Sequence, residues 1–198
     1  MGFEALIVIM MSAALVNNYV LIQFLGICPF LGVTKELKNA TGMALAVIFV
    51  MVLASAVTWP IQVYILDMYG IGYLQTIVFV LIIAALVQFV EIVLKKYFRA
   101  LYSALGIYLP LMTTNCALLA VTIVNIKNEY TFIEALANSI GAGLGILLAM
   151  VLFSGIRQIT ENADPPDCFK GAPITLISAA ILSISFFGFT GVIEHLFG

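Results

Sequence analysis

The chain has 198 residues, of which 64% are hydrophobic and only 9% charged, and its mean hydropathy is +1.19. Such a composition excludes a soluble globular domain and predicts an all-α integral membrane protein, read as a single membrane domain over 1–198. A net charge of −2 with no basic patch offers nothing to nucleic acid.

A membrane-crossing helix takes about 20 apolar residues. Six stretches qualify: 3–33, 43–65, 71–94, 101–124, 133–153 and 174–197. The first residues carry Glu4 and no Lys or Arg, and the first apolar run outlasts a signal-peptide core, so this run is expected to act as its own insertion signal. A straight helix over 3–33 would extend ~46 Å, against a hydrocarbon core of ~30 Å. A break near Gly26 to Gly32 would absorb the excess, because Pro29 drives Cys28 away from helical angles. Asn39-Ala40-Thr41-Gly42 and Tyr69-Gly70 read as turns. In the fourth stretch Pro110 removes a helical hydrogen bond, and Thr113, Thr114 and Asn115 lead into Cys116. The connection from Ser154 to Pro173 holds Asp164-Pro165-Pro166-Asp167 and is expected in water. Trp59, Tyr69 and Tyr73 read as interface anchors.

Six spans alternate the connections between two sides. Lys35, Lys38, Lys95, Lys96, Arg99, Arg157 and Lys170 then share one side, and Lys127 alone lies on the other. The positive-inside rule puts the first group in the cytoplasm and both termini outside. Three spans per half give the halves opposite directions, the footprint of an inverted repeat over about 3–94 and 101–197. One constant offset aligns Cys28 with Cys116, Leu21 with Leu109, Leu31 with Leu119 and Val33 with Val121. A two-fold axis in the membrane plane would bring both broken helices, and both thiols, together near the midplane.

Polar residues inside the spans divide by position. Gln88, Glu91 and Glu134 lie near span ends, and Glu91 precedes Lys95 at the helical ion-pair spacing. Gly141 and Gly145 form a G-x-x-x-G, which with Gly143 reads as close helix packing. His195, the only histidine, stands beside Glu194 near the end and reads as interfacial. Asn17, Asn18, Thr113, Thr114 and Asn115 cluster at helix breaks, where unwound backbone can coordinate ions.

The three cysteines, Cys28, Cys116 and Cys168, form no C-x-x-C pair, and their wide spacing and odd count argue against a disulfide framework. Cys168 reads as an incidental thiol in the polar connection. A buried cysteine is most often a small hydrophobe, but Cys28 and Cys116 occupy equivalent breaks in two half-repeats. Thiolates at depth need a metal to offset their charge. A 2Fe-2S cluster takes four sulfur ligands, so a cluster here would have to be shared with another chain. The same features also suit a small secondary transporter or channel with Asn17, Thr114 and Asn115 as its substrate site, or a purely structural membrane component.

These residues carry a resemblance. Leu15-Val16-Asn17-Asn18-Tyr19-Val20-Leu21, then Phe24-Leu25-Gly26-Ile27-Cys28-Pro29-Phe30, resembles the signature of the RnfA family, membrane components of the Rnf electron-transport complex. So does Leu109-Pro110-Leu111-Met112-Thr113-Thr114-Asn115-Cys116-Ala117, and Phe169-Lys170-Gly171-Ala172-Pro173-Ile174 is similar to the family's entry into its last helix. The family is akin to NqrE of the sodium-translocating NADH:quinone oxidoreductase. The resemblance implies six spans, an inverted repeat, and a 2Fe-2S cluster held by Cys28 and Cys116 together with two cysteines of a homologous partner of the RnfE type. It implies electron passage between ferredoxin and NAD, with flavin- and cluster-bearing partners, while Na+ or H+ crosses a bacterial or archaeal cell membrane. Asn17, Asn18, Thr113, Thr114 and Asn115 are then candidates for hydrogen bonds to the cluster sulfurs or for an ion path.

Overall fold

The computed structural model describes residues 3–66, 68, 74–97, 115–163, 166 and 169–197. Among them every regular element is helical. Helix α1 (Phe3–Met11) widens into a π-helical turn at Ser12–Val16, which closes where the Asn17 amide donates to the Ser12 carbonyl at 2.9 Å. The chain then leaves helix until α2 (Ile27–Val33). Helix α3 (Leu37–Ile61) carries Pro60 in its last turn and passes into a second π-helical turn at Gln62–Leu66. Helices α4 (Gln75–Tyr97), α5 (Cys116–Lys127), α6 (Phe132–Asn162) and α7 (Ala172–Phe197) complete the order. Among the described residues, three stretches are long and apolar enough to cross a membrane: Leu37–Leu66, Gln75–Tyr97 and Phe132–Thr160. Leu6–Val16, Cys116–Lys127 and Ala172–Gly188 are shorter apolar helices.

Several boundaries differ from the sequence expectation. Asn39-Ala40-Thr41-Gly42 is helix, not turn. Ala40 is fully buried, Thr41 Oγ1 donates to the Leu37 carbonyl at 2.9 Å, and Asn39 Nδ2 donates to the Glu36 carboxylate at 2.8 Å. Burial of one face therefore outweighs the weak helix propensity of Asn, Thr and Gly. Helix α6 likewise runs beyond 153 through residues expected in a polar connection. Arg157 explains part of this, because Nη1 donates back to the Leu31 carbonyl at 2.7 Å and anchors that turn to the end of α2. The break in the first span is real but earlier than Gly26 to Gly32, at residues 17–26. Pro29 does not unwind Cys28. It stands in the first turn of α2, where its missing N–H leaves no helical bond unmade. The Tyr69-Gly70 turn, Tyr73, Arg99, Pro110, Thr113, Thr114, Cys168 and the His195 side chain lie outside the described residues.

Helix α6 is the centre of the fold, packing against α1, α3, α5 and α7. Its core seam with α3 buries Val47, Val50, Met51 and Ala54 with Ala142, Ile146, Ala149 and Met150. Phe153 stacks on Phe30 at 4.3 Å between ring centroids and so ties α2 to α6, a pairing worth about 0.5–1.5 kcal/mol beyond burial. The glycine triplet does what its spacing predicts. A Cβ on Gly141 would strike the Met10 backbone carbonyl, and one on Gly145 would come within 2.8 Å of the Ala14 carbonyl. On the other flank, a Cβ at Gly143 would press to 2.7 Å from Ile48 Cγ1. Glycine thus lets the α1 backbone lie directly on α6.

Candidate functional site

Broken backbone among apolar helices must find hydrogen bonds within the protein. Asn18 supplies most of them. Its Oδ1 accepts from the amides of Val20 at 3.0 Å and Leu21 at 3.2 Å, and its Nδ2 donates to the Gly145 carbonyl at 2.9 Å and the Ala14 carbonyl at 3.3 Å. Ser183 of α7 donates to the Leu21 carbonyl. Tyr19, Val20 and Leu21 are consequently buried, although they belong to no helix. The segment then turns through two left-handed residues, Phe24 at φ 56° and Gly26 at φ 80°. For Phe24 that conformation costs about 1–2 kcal/mol, which the surrounding bonds hold in place.

Gly26 is the N-cap of α2, so Cys28 lies in that helix's first turn. Asn115 is the N-cap of α5, and Cys116 is that helix's first residue. The Asn115 Oδ1 accepts from the Ala117 amide at 3.1 Å, a side-chain cap. These two caps meet. A Cβ on Gly26 would lie 2.8 Å from Asn115 Oδ1 and 3.4 Å from the Ala117 Cβ. Gly26 is therefore required twice, once by its positive φ and once by the approach of α5. The contact brings together two thiol-bearing first turns whose cysteines stand far apart in sequence. Both thiols are exposed at the surface of the chain, while the capping residues behind them are buried. Both also stand at the positive ends of helix dipoles, which favour negative charge on a metal-bound sulfur.

The other polar residues separate by use. Asn18 and Asn115 spend their side chains on the backbone breaks. Asn17 lines a cavity of about 300 Å³ together with Ser12, Tyr19, Gln23, Asn128 and Asn138. Glu134 closes a capping box with Thr131 at the start of α6, accepting from the Thr131 amide at 2.9 Å. Trp59 Nε1 donates to the Tyr130 carbonyl at 2.8 Å, fixing the end of α3 to the α5–α6 turn.

Sequence reasoning missed a buried network between α3, α5 and α6. Asn125 Nδ2 lies 3.2 Å from Ser55 Oγ and 3.3 Å from Ser139 Oγ, and its Oδ1 accepts from Asn138 Nδ2 at 2.7 Å. The signal was available, since Asn125 and Asn138 each interrupt an apolar run. No other Cys, His, Asp or Glu among the described residues joins the thiols to make a group of three. Among the described residues, Cys28 and Cys116 would supply two of the four thiolates that a 2Fe-2S cluster takes.

A family model described as "Rnf-Nqr subunit, membrane protein" matches residues 6–193. The chain belongs to the Rnf-Nqr family. Its similarity to individual Rnf-Nqr members is end to end. It is 57% identical to the A component of the Na+-translocating ferredoxin:NAD+ oxidoreductase complex of Acetobacterium woodii over 187 residues, covering 94% of this chain and 97% of that protein. It is 48% identical to the A component of the ion-translocating oxidoreductase complex of Syntrophotalea carbinolica, with 95% and 97% covered. To the corresponding component of the Shewanella oneidensis complex it is 45% identical, with 95% and 98% covered. The Rnf-Nqr chain thus carries its paired caps and exposed thiols in a membrane-protein family whose relatives bear the names of redox-driven ion translocases.

Proposed function

We propose that this chain is the RnfA component of an ion-translocating ferredoxin:NAD+ oxidoreductase complex. In this reading it crosses the membrane six times as two inverted three-helix repeats. Cys28 and Cys116 hold one side of a 2Fe-2S cluster, and a homologous partner protein supplies the other two cysteines. The observation that carries the reading is the contact between the caps of α2 and α5, which sets two exposed thiols on adjacent helix starts. The names of the relatives support the ferredoxin:NAD+ complex over the related quinone reductase.

The cluster, when bound, supplies a one-electron stopping place that divides the ~30 Å hydrocarbon layer. The chain's own residues do the rest. Cys28 and Cys116 present their sulfurs outward, Gly26 and Asn115 hold the two first turns in register, and Asn18 keeps the broken segment satisfied so that the thiols sit at fixed positions. Electron flow is coupled to movement of Na+ or H+. When expressed alone, the chain should bind no stable stoichiometric cluster, and coexpression with its homologous partner should restore iron and acid-labile sulfide. A stable cluster in the isolated monomer would defeat the shared-site reading.

The same proposal sets both termini on the outer side of a prokaryotic cell membrane, from the clustering of all basic residues except Lys127 on one side. A cysteine placed at Lys96 should react with an impermeant maleimide only after the cells are opened. Labelling of intact cells at that position would reverse the orientation.

A further inference from the structure

The cavity of about 300 Å³ beside Asn17 draws its walls from α1, the broken segment, α5 and α6. Ser12, Asn17, Tyr19, Gln23, Asn128 and Asn138 bring side-chain oxygens to it from among apolar helices. Tyr19 and Asn138 are buried there, whereas Asn17, Gln23 and Asn128 also reach the surface. Two helices end at this cavity. Asn17 is the C-cap of the π-helical turn that closes α1, and Asn128 is the C-cap of α5. The last carbonyls of a helix lack amide partners within it, and each C-terminus carries roughly half a unit of negative charge. Two such ends supply about one unit, which matches a single monovalent cation. Lys127 and Glu129, which flank Asn128, are both exposed and opposite in sign.

The fold fixes these walls. The Asn138 nitrogen donates to Asn125 Oδ1 at 2.7 Å, which leaves the Asn138 oxygen outside that bond. Trp59 Nε1 donates at 2.8 Å to the carbonyl of Tyr130, another lining residue. The Leu25 amide donates to the Tyr19 carbonyl at 2.8 Å, which joins the cavity to the residue before Gly26, the cap of α2. Amide and hydroxyl oxygens coordinate a cation but take up no proton near neutral pH. In membrane proteins, unwound backbone and the C-terminal ends of broken helices coordinate such ions. We infer that this cavity binds one alkali cation, with the side-chain oxygens of Asn17, Tyr19, Gln23 and Asn138 around it and the two helix ends supplying the countercharge. Binding does not require the cluster; service of this site in ion transport rests on the function proposed above.

The test uses the complex assembled with its partner proteins, in nanodiscs, with Na+ as the probe and choline replacing it at constant ionic strength. Na+ should raise the thermal midpoint of the unaltered complex along a saturating curve. Asn17→Ala keeps the Asn17 amide bond to the Ser12 carbonyl and removes the carboxamide from the cavity. It should raise the half-saturating Na+ concentration roughly tenfold, the scale of one contact to a charged group, with iron content unchanged. Asn138→Ala should act in the same direction. If it assembles poorly for want of its bond to Asn125, Gln23→Ala at the exposed side should show the rise instead. The Cys28→Ser complex should keep its Na+ dependence, so a wrong cluster assignment and a wrong cation site give different results. An unchanged half-saturation in both Asn17→Ala and Gln23→Ala would overturn the site. Equal stabilisation by Na+ and choline would overturn it as well.

Discussion

On the proposed shared-cluster reading, Cys28→Ser should strip the assembled complex of the cluster and lower ferredoxin-to-NAD+ electron transfer by more than about 100-fold, beyond the cost of losing an outer hydrogen-bond partner of a metal ligand. The reason is local. Cys28 is exposed in the first turn of α2, and that turn is fixed to the cap of α5 by the approach of Gly26 to Asn115. A serine there keeps the size of the side chain and the helix, so assembly of the complex should survive. What it removes is the soft sulfur ligand that iron–sulfur chemistry takes. Iron, acid-labile sulfide and the EPR signal of the reduced complex should fall together while the protein stoichiometry stays unchanged. Cys116→Ser should behave alike, because it carries the matching thiol on the other helix start. Full iron content and unaltered electron transfer in both variants would remove these thiols from the redox path.

Gly141→Ala should have the largest effect on stability among small substitutions. Its new Cβ meets the Met10 carbonyl oxygen and lies 2.9 Å from the Met10 Cα, so both partners are backbone and no rotamer change relieves the clash. Overpacking of this kind costs about 1–3 kcal/mol. Moving α1 away would also disturb the Asn18 bond to the Gly145 carbonyl, one turn further along α6, and with it the broken segment that leads to Cys28. Gly155→Ala is the internal control. It lies in the same helix with nothing within 4 Å of its Cβ, and replacing a helical glycine there should gain up to about 1 kcal/mol. Thermal midpoints of the two variant complexes should therefore move in opposite directions. A fall of equal size in both would mean that glycine serves α6 by flexibility and not by packing.

The apolar helices and the packing role of the glycine triplet were legible in the sequence, because composition and the small-residue spacing act locally. Proline, glycine and polar neighbours also singled out Cys28 and Cys116 in the sequence, and both stand in the first turns of helices. The position of the first break was not legible. Proline was read for its effect on the preceding residue, whereas its place in the chain is a helix start, where that effect is weak and a missing N–H is harmless. What unwinds the chain is Asn18, whose carboxamide outbids the helix for nearby amides and reaches Gly145 across the fold. A partner so distant in sequence leaves no periodic trace. The same holds for Asn125 with Ser55 and Ser139, and for Arg157 with the Leu31 carbonyl. Each looked like an ordinary polar residue until tertiary contacts gave it a use.

Any tilt of α2 against α5 about the meeting of Gly26 and Asn115 would have its pivot at the first turns of both helices. Helix α5 has 12 residues and so extends about 18 Å from that point. A tilt of α2 against α5 by roughly 15°, the scale of rigid-body rotations in allosteric proteins, would carry the far end of α5 through about 5 Å. A sulfur within one turn of the pivot, about 5 Å away, would travel little more than an ångström. A change in the angle between α2 and α5 about this contact would therefore leave the separation of Cys28 and Cys116 nearly constant.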